Sequence, residues 1–157
     1  MITGLIIGLI VGIIIALLVI FYSAPSIMFK ENKSKHDFET TIAELEKTVA
    51  DAGWVIPHVN DLQASLHKFD YDIMKVKIYE ICKPEHAYKI LSQDDERIVS
   101  SLMPCRIAIY EKSDGNVYMS FMNAKLMAKP MVKLIRQTMA DAAAETEVII
   151  APLIENK

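Results

Sequence analysis

Two cysteines are all the chain carries, and each stands within two residues of a proline: Cys82 in "EICKPEH" and Cys105 in "MPCRIAIYE". Thiols at such positions can do three things. They can pair as a disulfide, hold a metal or cofactor, or serve as small buried hydrophobes. Strand parity groups Cys82 with Met74, Val76 and Ile78, and Cys105 with Ile107 and Ile109. That alternation points both sulfurs at the core side, within reach of each other if the two strands are neighbours. His86 follows Cys82 by four residues. Cys82, Cys105 and His86 would make a three-ligand set for zinc or copper, although the spacing matches no finger pattern. Thiol chemistry needs a thiolate, and an apolar pocket opposes ionisation. The residues by themselves leave these readings open.

Other chemistry is weakly represented. Met119, Met122, Met127 and Met131 cluster late in the chain, and thioethers can bind Cu(I) or haem iron. Met127 and Met131 have the spacing of a helical core stripe, however, and gap filling is the favoured reading. "DDERIVSSLM" opens with Asp94, Asp95 and Glu96, acids suited to the start of a helix. There is no glycine-rich phosphate loop, nucleophile elbow or His-Glu-X-X-His. No nucleophile, base and orienting group can be named together, so the expectation leans against an enzyme. No cofactor is expected, with metal or haem the minority reading.

The elements that must position these residues divide the chain of 157 residues sharply. No charge occurs from Met1 to Phe29; all 17 Lys+Arg and 20 Asp+Glu follow, for a net charge of -3. That balance argues against a nucleic-acid partner, which would demand a basic face. The 21 residues from Ile2 to Tyr22 would span about 31 Å as a helix, close to a bilayer core. No basic residue precedes them, as a cleaved signal would require. A single-pass membrane helix over residues 1–24 is therefore expected. Within it, Gly4, Gly8, Gly12 and Ala16 recur every fourth residue, a ridge of small residues that lets helices approach closely in lipid. The expected partners are lipid and the transmembrane helices of this or another protein. Lys30, Lys33 and Lys35 just beyond the run place the following domain on the cytoplasmic side by the positive-inside rule. Domains on short N-terminal anchors also occur outside, on the periplasmic side.

Pro25 is expected to end the membrane helix and begin a connector over residues 25–36 that reaches an edge strand. Asp37 then caps an amphipathic helix carrying Phe38, Ile42, Leu45 and Val49, closed by Gly53. A strand in "WVIPHV" and a short helix with Leu62, Leu66 and Phe69 follow. Next comes a strand from Tyr71 to Cys82, its Lys75 and Lys77 on the wet face. "PEHAYKILS" is a helix begun by Pro84, and "KSDG" joins two hairpin strands through Gly115. Pro130 to about Ile149 reads as a final helix, with Met131, Leu134, Ile135, Met139 and Ala142 inward and Lys133, Arg136, Gln137, Asp141 and Glu145 outward. The fold class is α+β, an antiparallel sheet packed by helices on one face, over residues 37–157.

In order and spacing, "FETTIAELEKTVADAGW", "YEICKPEHAYKIL" and "SSLMPCRIAIYEKSDGNVYMSF" resemble the family called domain of unknown function 302 (DUF302), across about residues 38–150. Lys83, Met103 and the pair Met122–Asn123 depart from its usual residues, while both cysteine segments match. The resemblance implies a small α+β fold, often dimeric, and supplies no activity. The functional expectation is a membrane-tethered, non-catalytic binding or accessory module, either a homo-oligomer or a small subunit of a membrane complex. The alternative is a thiol, metal or cofactor protein using Cys82 and Cys105 for redox exchange or sensing.

Overall fold

The apolar run forms one uninterrupted helix in the computed structural model, which describes residues 2–155. This helix, α1 (Ile2–Met28), continues through Pro25, so the expected break does not occur there. Proline already holds a helical φ and forfeits one backbone donor, a local loss that a long helix survives. What ends α1 is a change of partner. Asn123 donates its backbone N–H to the Met28 carbonyl at 2.8 Å and its side-chain amide to the Ile27 carbonyl at 3.1 Å. The last carbonyls are thus satisfied from outside the helix. Phe29 then pairs with Met122 as the first residue of β1 (Phe29–Lys33). The segment expected as connector therefore holds the last turn of α1 and the whole of β1.

After β1 come α2 (Phe38–Asp51), β2 (Val55–Asp61), α3 (Leu62–His67), β3 (Val76–Cys82), α4 (Pro84–Leu91) and a 3₁₀ helix (Asp95–Leu102). The chain closes with β4 (Cys105–Glu111), β5 (Val117–Met122), α5 (Ala124–Met127) and α6 (Lys133–Ile150). The five strands form one sheet in the order β1-β5-β4-β3-β2, every neighbour antiparallel. The Asp37 side chain accepts from the Thr40 N–H and caps α2, and Gly53 (φ 71°) and Gly115 (φ 76°) supply the left-handed residues at the helix end and the hairpin.

One face of the sheet is buried under α2 and α6. Phe38, Leu45 and Val49 of α2 meet Tyr79, Ile81, Ile107, Ile109 and Met119 of the strands, with Ile149 and Ile150 of α6. The face assignment of β3 is therefore the reverse of the expected one. Tyr79 and Ile81 are buried (2% and 0% exposed), while Ile78 and Cys82 occupy the opposite parity. Glu80 shares that parity and pairs with Arg106 at 3.3 Å on the outer face. Lys75 and Lys77 sit at the margin of the core face, where long stems cover apolar surface and charges reach outward. Lys75 Nζ lies 5.1 Å over the Phe38 ring, and Lys77 is 3.7 Å from Asp61.

Three boundaries also shift. β3 begins at Val76 rather than Tyr71; α6 begins at Lys133 rather than Pro130; and Phe69 falls outside α3, exposed. Met127 and Met131 consequently lie on different segments. A second, smaller core holds Ile90, Val99 and Ile135, packed by Met103, Met131 and Met139. Met119 is fully buried in the main core. Methionine thus fills gaps here, as its flexibility suits.

Strand register places several features at one end of the sheet. Phe29 pairs with Met122, Ile107 with Phe121, Ile81 with Cys105 and Val55 with Cys82. The exit of α1, both cysteines and the starts of α4 and α5 therefore share that end. Because Leu45 is fully buried at the α2–sheet junction, Leu45→Ala should destabilise the domain by about 3 kcal/mol. Denaturant unfolding of the full chain in detergent measures this; a loss below about 1 kcal/mol would show that α2 does not form the core wall.

Candidate functional site

A small cleft opens at the same end of the sheet, roofed by α4, the 3₁₀ helix and α6. Cys82, Cys105, His86, Trp54, Met103 and Met139 are among its walls, the remainder of which is almost wholly aliphatic. Its free volume is about 50 Å³, enough for a few waters at about 10–15 Å³ of free space each. The structure thus brings both cysteines and His86 to one cavity, by a route the parity argument did not give. Cys105 belongs to the core face through its pairing with Ile81; Cys82 reaches the cleft at the last residue of β3, where the chain turns into α4. Both are free thiols. Burial raises the pKa of each, and in Cys105 the nearby Cys82 adds to the effect. Such thiols are held protonated and slow to react.

The polar part of the cleft is organised by Glu145. Its Oε2 accepts from Trp54 Nε1 at 2.9 Å and from Lys83 Nζ at 2.7 Å, and its Oε1 lies 2.8 Å from His86 Nε2. Partial burial pushes the carboxyl pKa up, but hydrogen bonds from Lys83, Trp54 and His86 outweigh it and bring the value to about 2. Glu145 is therefore turned inward, correcting its expected place on the wet stripe of α6. The sequence signal was indirect: a buried indole N–H needs an acceptor, and Glu145 is the acid that α6 brings to Trp54.

With a carboxylate at Nε2, that nitrogen carries the proton in neutral His86, leaving Nδ1 as an acceptor. Nδ1 is buried and has no hydrogen-bond partner among the described residues. Trp54 meets the imidazole edge-on at 6.1 Å between centroids, so the ring is fixed from two sides. No cysteine hydrogen-bonds to it, so the nucleophile–base contact of a thiol enzyme is not formed. Among the described residues, no three His, Cys, Asp or Glu side chains converge to hold a metal ion. Cys82, Cys105 and His86 share a cavity without forming a ligand set.

Gly4, Gly8, Gly12 and Ala16 lie far along α1, away from this cleft. A Cβ added at any of the three glycines would meet nothing within 4 Å, and Ala16 is exposed. From Ile6 to Tyr22 every side chain is exposed, and the apolar stretch Ile6–Met28 is 0% buried.

Two outcomes check this geometry. Glu145 has its folded-state pKa depressed from 4.5 to about 2, so its contribution to stability is present above pH 4.5 and lost as pH falls toward 2. Unfolding midpoints across that range should fall more steeply for the native chain than for Glu145→Gln; parallel curves would contradict the network. Iodoacetamide should alkylate Cys105 several-fold more slowly than Cys82 at neutral pH, since burial and its neighbour both oppose the Cys105 thiolate. Faster modification of Cys105, followed by peptide mass spectrometry, would refute the assignment.

The profile of the family described as "Domain of unknown function DUF302" matches residues 30–156. A crystal structure of an uncharacterized conserved protein DUF302 from Bacillus stearothermophilus is similar in fold. Its TM-score is 0.71 at 17% identity, covering 79% of this chain and 96% of that one. Among proteins of curated function, none matches the sequence. With the sheet from Lys30 onward, both cysteine segments and the final helix lying inside the matched region, the chain belongs to the DUF302 family.

Proposed function

We propose that the protein is a membrane-tethered, non-catalytic binding or accessory module that assembles through α1, as a homo-oligomer or a small subunit of a membrane complex. The observation that carries this reading is the bare helix. Twenty-three residues, Ile6–Met28, are long and apolar enough to cross a membrane, and the domain buries none of them. A core helix of a soluble protein would be covered, and an uncovered one of this size is unstable in water. Gly4, Gly8 and Gly12 have open space where a Cβ would stand, which suits close approach by a second helix. The lysines after α1 favour a cytoplasmic domain.

A second reading is favoured by the cleft. Cys82 and Cys105 share it with an imidazole that Glu145 and Trp54 hold in place. That arrangement suits a small ligand, or thiol or metal handling, more than catalysis, because nothing activates either thiol. Thiol titration, metal analysis and a Cys82→Ser/Cys105→Ser variant separate the two readings: two free thiols, no metal and unaltered behaviour remove the second.

For the first, Gly8→Leu/Gly12→Leu should abolish the oligomer or co-purifying partner after gentle detergent extraction, read as the mass of the complex. Unchanged assembly would sink the helix-contact proposal.

A further inference from the structure

The register that brings the α1 exit and α5 together has a consequence for the domain's own surface. If the hydrocarbon ends near Tyr22, the six residues on to Met28 climb about 9 Å, through a headgroup layer about 6 Å deep. Asn123 holds Met28 and Ile27 by hydrogen bonds of 2.8 and 3.1 Å and also caps α5 through its side chain. Lys125 is two residues further on, and Lys129 follows in the turn after α5. Both are exposed, and residues 123–140 contain no acid while adding Lys133 and Arg136. Several other cations at this end are paired: Lys30 with Glu147, Lys83 with Glu145 and Arg97 with Asp94. Among the described residues, Lys125 and Lys129 have no carboxylate partner. Asp95 and Glu96 line a groove with Pro130, Met131 and Val132, the residues just after Lys129, without pairing with either lysine.

We propose that Lys125 and Lys129 form a contact with the phosphate-bearing headgroups of an anionic leaflet, holding the domain against the bilayer that α1 crosses. The proposal rests on the membrane reading of α1. On that rise Asn123 stands about 3 Å outside the headgroups. Lysines that close, with long side chains, are attracted by the negative surface potential of such a leaflet, and the attraction is screened by salt. The two hydrogen bonds from Asn123 tie the start of α5 to the end of α1.

The test uses the full chain in nanodiscs of phosphatidylcholine alone and of phosphatidylcholine with phosphatidylglycerol. Co-elution of the chain with both discs checks the membrane reading separately; a chain that elutes free of neutral discs defeats that reading itself. In the co-eluting sample, lysine acylation rates are read residue by residue, with Lys35 and Lys68 as references on β1-distal and β2-distal connections. Anionic discs should slow acylation of Lys125 and Lys129 about fivefold relative to neutral ones. High salt, or Lys125→Glu/Lys129→Glu read by the hydrogen exchange of residues 124–132, should abolish the difference while leaving co-elution intact. Equal rates in both discs overturn the proposal. Protection in neutral discs by added inorganic phosphate also overturns it, because it would mark a free-anion site.

Discussion

An apolar helix that its own domain leaves uncovered imposes the strongest constraint on this molecule. Burial of apolar surface is the main favourable term in folding, and α2 and α6 obey it by covering one face of the sheet. The stretch from Ile6 to Met28 does not. Short of its last turn, whose carbonyls Asn123 takes, helical hydrogen bonding satisfies its backbone in the way a hydrocarbon layer requires, and the domain buries none of its side chains. In the membrane-tethered reading we propose, lipid or another helix supplies the missing contact. The glycine ridge then has a physical use that a solvent-exposed helix would lack.

The joint between α1 and the domain turns that constraint into geometry. Asn123 takes the last carbonyls of α1, and Phe29 enters the sheet at once beside Met122. No slack linker intervenes, so the sheet end bearing the cleft lies next to the helix exit. The cleft itself is built around one carboxylate. Glu145 ties α6 to Trp54, to Lys83 before α4 and to His86 within α4. Removing it would leave an indole N–H and an ammonium without their partner, which costs more than the hydrogen bonds add. Among the described residues, His86 Nδ1 is the buried side-chain polar atom that this network leaves without a partner.

Local rules carried much of this fold into the sequence. The cap at Asp37, the α2 stripe, the Gly53 and Gly115 turns, the hairpin and the apolar span are each written in a few neighbouring residues. What failed was decided by partners distant in the chain. The parity of β3 was misread because Lys75 and Lys77 look solvent-facing, whereas their stems lie on the core margin and Glu80 breaks the apolar alternation. Pro25 signals a break, but the helix persists until Asn123, distant in sequence, receives its end. The site was half legible: Cys82, Cys105 and His86 stood out by type and spacing. Glu145 did not, since its role depends on Trp54, ninety-one residues away.

The most direct test of the tether is alkaline extraction of membranes from cells producing the full chain. Retention of the protein with the lipid at high pH, and release only by detergent, is the outcome this account requires. Recovery of the intact, uncleaved chain in the aqueous supernatant would contradict it.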